Sequence, residues 1–172
     1  KILLLHHPLH SVRGKTYNLI QRWMFDDVVK EYGVDVVLQG HEHAYARMSN
    51  LNENEQKVTP VYLISHCSPK HYRIKFDNKF DRYGISSRYY QIINVLSDTL
   101  SIAAYELNSN ELYDSVSILK SDVDKKGMII DYALNIPENM SFSPRPESKK
   151  DNDYEERILE YIKNHPEKEF KR

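Results

Sequence analysis

Apolar positions along the chain come first in short unbroken runs and later in alternation. Ile2 to Leu5 is a continuous apolar run that stops at His6-His7-Pro8, where Pro8 removes a backbone donor. It reads as a buried strand. A polar loop with Gly14 follows, and from Tyr17 to Tyr32 the pattern turns helical. Ile20, Met24, Val28 and Tyr32 recur every four residues, and Leu19 and Trp23 widen the stripe. Gly33 comes directly after and suits a left-handed C-cap. Val34 to Leu38 is a second apolar run, so strand, helix and strand predict a βαβ unit with parallel strands.

Asn50 to Lys57 is polar and predicts a surface loop, and Val61 to Ile64 a third strand. Lys75 to Arg88 is charged and aromatic with no period, and predicts no element. Tyr90–Val95 and Leu100–Tyr105 flank Ser97-Asp98-Thr99, a hairpin signature, and Tyr113–Leu119 alternates with Val116 and Ile118 on one side. The expected fold class is therefore α/β: a βαβ unit plus an antiparallel β meander over residues 1–120. Residues 121–172 read as a C-terminal extension. In it an arm carries Pro137, Pro144 and Pro146 with apolar anchors at Met128, Ile129, Ile130 and Phe142, and a short helix spans Tyr154 to Asn164 between Asp153 and His165-Pro166.

Composition narrows the function classes. The chain has 172 residues of which 40% are hydrophobic, enough for a core and against global disorder. Its 24 basic and 25 acidic side chains leave a net charge of −1, which gives no electrostatic reason to expect nucleic acid or an anionic membrane as partner. No apolar stretch approaches the ~20 residues of a membrane span. The single cysteine, Cys67, excludes an internal disulfide and a Cys-rich zinc motif, and reads as a small core residue. The chain opens inside an apolar run without a methionine, so it is expected to be part of something longer, and localisation is left open.

Two places carry chemistry. His6-His7-Pro8 ends the first strand, and Gly40-His41-Glu42-His43 ends the second. In parallel sheets functional groups gather at the carboxyl ends of the strands. Imidazole is the commonest metal ligand near neutral pH, and a His-x-His pair can offer two of them to one metal or to an adjacent pair. Gly40 is expected to let the chain turn sharply before the pair, and Glu42 to point to solvent or pair locally with a base. A metal site accounts for histidines at two strand ends of one βαβ unit better than separate structural roles do.

The run Leu3-Leu4-Leu5-His6-His7-Pro8-Leu9 resembles the His-x-Pro block of calcineurin-like metallophosphoesterases of the purple acid phosphatase branch. Gly40-His41-Glu42-His43-Ala44-Tyr45-Ala46-Arg47 resembles that branch's Gly-His-x-His-Ala-Tyr-Glu-Arg block, in the same order and separated by one helix. The resemblance covers roughly residues 1–120 and implies the C-terminal half of an αββα sandwich. It implies a parent enzyme that hydrolyses phosphate esters with two metal ions, iron, zinc or manganese, which together activate a hydroxide. On this resemblance His6 and His41 would ligate one metal and His43 the other. By placement rather than by the resemblance, His7 or His10 could bind a phosphate oxygen or protonate the leaving group. Arg47 could clamp a phosphate. Lys70 or His71, in the segment after the third strand, could meet an anionic substrate.

The resemblance is partial. The family's N-terminal blocks, which supply the bridging aspartate, the asparagine ligand and a catalytic histidine, do not occur in this sequence. Imidazoles alone cannot offset the repulsion between two close divalent ions. The chain is therefore expected to hold at most one ion, weakly, and to hydrolyse phosphoesters slowly or not at all. Its expected partners are a phosphate-ester substrate, the missing N-terminal half of the domain, or a second copy met through an exposed sheet edge. Two other readings stand beside the enzyme: a non-catalytic metal-binding or interaction module that keeps the histidine blocks, and a cupin-like barrel, which the helix argues against.

Overall fold

The computed structural model describes residues 1–14, 17–72, 74–120 and 126–140, all within one compact unit, Lys1–Phe142. The helix expected from Tyr154 to Asn164, the anchor Phe142, and Pro144 and Pro146 of the arm lie outside the described residues. The elements run β1 (Ile2–Leu4), α1 (Leu19–Glu31), β2 (Val36–Gln39), β3 (Tyr45–Leu51), β4 (Lys57–Ile64), β5 (Arg82–Gly84), β6 (Tyr89–Val95), β7 (Thr99–Glu106), β8 (Leu112–Leu119) and β9 (Met128–Asp131). The described residues form a mixed α/β domain, mostly strands, with one helix among them.

All the strands join a single curled sheet, in the order β1-β2-β4-β9-β8-β7-β6, with β3 pairing β4 and β5 off that path. β1, β2 and β4 are parallel, and the other pairings are antiparallel. The βαβ unit is thus β1-α1-β2, and the meander is β6-β7-β8-β9. Because side chains alternate across a strand, the sheet feeds two cores. Val37, Tyr62 and Ile64 point into one, with Ala46, Met48, Leu9 and Val12. Val36, Val61 and Leu63 point into the other, where the meander residues Leu100, Ile102, Val116 and Ile118 cover them.

Several expectations change. β3 and β4 form a longer hairpin than the expected strand at Val61–Ile64, and only residues near Asn52–Gln56 remain as its loop. The periodless segment holds β5, a strand too short to alternate visibly. Met128, Ile129 and Ile130 form β9, paired with β8 and β4. β1 is an edge strand: Leu4 is 77% exposed, not buried as its apolar run suggests. The helix also turns the other way. Its stripe of Ile20, Trp23, Met24, Val28 and Tyr32 faces outward, and Val29 is its buried residue. The inner face docks through a polar seam instead, with Asp26 accepting from Tyr62 Oη and pairing with His10. Gly33 does end the helix in a left-handed conformation, φ 59°. No helix among the described residues is long and apolar enough to cross a membrane.

Arg47 is the hub that joins the later strands. It is 1% exposed. Its Nε and Nη2 donate to the two oxygens of Asp114 on β8, at 2.7 and 3.2 Å. Nη2 also donates to Asp131 on β9 at 2.7 Å, and Nη1 to Asp81 at 3.3 Å. Tyr45 Oη adds a hydrogen bond to Asp114, and Lys57 of β4 pairs with Asp81 and Asp131. Removing the guanidinium takes the most buried cation away from three carboxylates that stay charged. Arg47→Ala is accordingly expected to destabilise the domain by about 3–5 kcal/mol, read from the urea midpoint at constant m-value.

Candidate metal centre

The parallel pairing of β1 with β2 continues past the end of β1. Leu5 N–H donates to Leu38 O at 2.9 Å, and Gly40 N–H donates to His6 O at 3.1 Å. Both histidine blocks therefore leave the sheet at one edge and in fixed register. His6 Nε2 and His41 Nδ1 are 3.2 Å apart. The His7 ring lies 4.1 Å from that of His41 and 4.9 Å from that of His6, centroid to centroid. One ring nitrogen from each of His6, His7 and His41 falls within 4.8 Å of the others.

The turn that presents His41 carries its strain on the histidines. His41 has φ 68° and His43 φ 48°, left-handed conformations that cost a residue with a Cβ about 1–2 kcal/mol each. Gly40, the residue expected to bear the sharp turn, is not left-handed, and a Cβ there would meet nothing nearer than His6 O at 3.8 Å. Glu42, between the two histidines, holds the strained turn. It does not reach solvent as expected, being 0% exposed. Its carboxylate accepts from Ser11 Oγ and from Val12 N–H, the latter at 2.7 Å. Burial raises its pKa, and these two bonds oppose the rise. Gln39 Oε1 makes a parallel tie, accepting from Leu9 N–H at 2.7 Å. Together they stitch the loop after β1 to the turn after β2, and so fix His6 and His7 relative to His41.

His43 lies outside this trio. Its Nδ1 is 2.8 Å from Lys70 O, so Nδ1 carries a proton, and in the neutral ring Nε2 is the bare nitrogen. The rings of Tyr72 and His66 lie nearly parallel to it, at 4.4 and 5.6 Å. Lys70 thus faces the site with its carbonyl, while its ammonium sits 4.9 Å from the Tyr72 ring centroid. His71 packs edge-on against His66, not against the trio. His66, which opens the segment expected from the sequence to emerge at the third strand's end, is 8% exposed, and burial followed by His71 and His43 pushes its pKa down to about 4. Cys67, expected in the core, is exposed beside it.

Two other expected site residues are engaged elsewhere. His10 Nε2 is 3.0 Å from Asp26, and its ring rests edge-on against Tyr62 at 4.5 Å. Burial lowers the His10 pKa, and the hydrogen bond and charge of Asp26 oppose the fall. Arg47 is buried in the hub described above. Its guanidinium is committed to Asp114, Asp131 and Asp81, which leaves no clamp for a phosphate.

The closest pair of the trio, His6 and His41, has the spacing of two ligands on one borderline-soft cation. Two ligands at 2.0–2.1 Å from a tetrahedral zinc stand about 3.3 Å apart, and His6 Nε2 and His41 Nδ1 are 3.2 Å apart. Burial, and then His7 and His6, lower the His41 pKa, so the neutral, ligating form is favoured. The cluster contains no carboxylate among the described residues, so it lacks the bridging anion that a close pair of ions requires.

Comparison with known proteins gives one partial likeness. A 53-residue stretch, 31% of this chain, is 38% identical to an acid phosphatase of Aspergillus ficuum, and it spans 9% of that protein's length. No family model matches the chain. The similarity is thus phosphatase-like and local.

Stability is expected to fall on mild acidification. His66 is protonated near pH 6.5 when unfolded but only near pH 4 when folded, so the unfolded chain binds the extra proton between these values. Between pH 6.5 and 4 the loss from His66 should be roughly 2 kcal/mol, discounted for solvent entering the open edge, and His66→Phe should flatten that limb of the stability–pH curve. In the turn, Glu42→Ala is expected to cost about 3 kcal/mol through two stranded donors and a void. Gly40→Ala should be neutral or stabilise by up to about 1 kcal/mol. Urea titration of both variants checks the pair.

Proposed function

We propose that this chain carries the histidine half of a metal-dependent phosphoric ester hydrolase site, of the calcineurin-like, purple acid phosphatase-like kind. The observation that carries the reading is the convergence of His6, His7 and His41 at the carboxyl ends of two adjacent parallel strands. Its support from outside the chain is the local likeness to an acid phosphatase. His6 and His41 would hold a zinc, iron or manganese ion, with His7 as the third imidazole, and His43 would turn its bare Nε2 toward a second. Such ions supply Lewis-acid polarisation of a phosphoryl oxygen and a water of lowered pKa.

The chain's own residues would do the rest. Glu42 and Gln39 hold the two loops, the β1–β2 ladder sets their register, and Lys70 O orients His43. The bridging carboxylate must come from further chain of the same domain. The outward apolar faces of β1, at Ile2 and Leu4, and of α1, at Trp23, Phe25 and Val28, are where that part would pack. Without it the chain takes up at most one ion and turns over little substrate.

Zinc titration of the chain, followed by calorimetry beside an aryl phosphate assay, tests the reading. One zinc per chain is expected, weakened at least about tenfold in His41→Ala, with turnover appearing only when an N-terminally extended protein is assayed. Zinc binding indifferent to His6, His7 and His41, in an extended protein that is also inactive, would sink it and favour a histidine cluster of purely structural use.

A further inference from the structure

His43 is the most closely supported imidazole at this sheet edge, and one segment supplies the support. The loop after β4 gives it the Lys70 carbonyl at 2.8 Å, the Tyr72 ring at 4.4 Å with 20° between planes, and the His66 ring at 5.6 Å with 11°. The hydrogen bond fixes the tautomer, and the two rings limit rotation about the side chain. His66 is itself buried, with its ring packed against those of His43 and His71. A carbonyl accepts only an N–H, so in the neutral ring the proton sits on Nδ1 and His43 Nε2 keeps its lone pair. Which imidazole nitrogen can bind a metal is decided by the bond that the other makes.

We propose that His66, Lys70 and Tyr72 are positioning residues, which present His43 as an Nε2 ligand before any ion arrives. The proposal rests on the metal reading of His43 given above. It reassigns the segment's role: Lys70 acts through its backbone and not through its charge, and His66 and Tyr72 act as ring walls and not as ligands or substrate contacts. The chemistry served is delivery of one soft-to-borderline divalent ion, and the cost of ordering the ring is met in the fold.

The test is long-range nitrogen–proton NMR of the metal-free chain, with the His43 signals identified by their loss in His43→Gln, followed by titration with zinc chloride alone. The expected spectrum has Nδ1 protonated and Nε2 bare. Tyr72→Phe, His66→Phe and Lys70→Ala should keep that tautomer and the zinc affinity. Tyr72→Ala should mix the tautomers while leaving the single zinc of the His6, His7 and His41 trio in place. A mixed or Nε2-protonated His43 in the unaltered chain overturns the proposal, as does a Lys70→Ala that behaves like Tyr72→Ala. Loss of zinc binding in His66→Phe with the tautomer intact would make His66 a ligand and overturn its place as a wall. A fixed tautomer in a chain that binds no zinc upholds the positioning and removes only the metal reading.

Discussion

The carboxylate of Glu42 is the constraint on which the histidine edge depends. It sits out of water between two residues in left-handed conformations and receives donors from the loop after β1. A buried carboxylate is costly unless its oxygens are satisfied, so the turn after β2 and the loop after β1 must move together or not at all. That coupling converts two local motifs into one cluster. The strain at His41 and His43 is tolerable because Glu42 between them is anchored, and it directs their rings toward different neighbours: His41 to His6 and His7, His43 to the loop after β4.

Beneath this edge the domain is organised by a second set of charges. Arg47 joins β3 to β8 and β9 and lies only four residues beyond His43 in the chain. The short Ala44–Ala46 stretch is fully buried between site and hub. The histidine turn is therefore clamped at both ends, by the carboxylate of Glu42 on one side and by the Arg47 network on the other. This arrangement favours a pre-formed site over one assembled on ligand binding.

Much of the frame was legible from periodicity, because strand and helix periods differ and the β1-α1-β2 unit has clear punctuation at Pro8 and Gly33. Orientation was not legible. The stripe on α1 shows that some surface is to be covered, but not whether the sheet covers it; here the sheet takes Val29 and the polar seam of Asp26 and Tyr62. His6 and His41 were visible as candidate ligands because they end adjacent parallel strands, whereas His7, read as a substrate or proton-transfer residue, joins them and His43, read as a ligand, lies apart. Arg47 and His10 were read as substrate contacts because charge and type reveal nothing of burial, and their carboxylate partners lie far away in sequence. His66 and Glu42 gave no signal by type alone. A closer reading of the Ser11–Val12 loop against Glu42 would have needed the register that only β1–β2 pairing supplies.

The central claim is that imidazoles of both strand ends converge on one ion, and zinc-edge X-ray absorption of the zinc-loaded chain tests it most directly. The account predicts three imidazole nitrogens at about 2.0–2.1 Å, falling by one in each of His6→Ala, His7→Ala and His41→Ala. A zinc surrounded mainly by oxygen, or a spectrum unchanged by those substitutions, would contradict it.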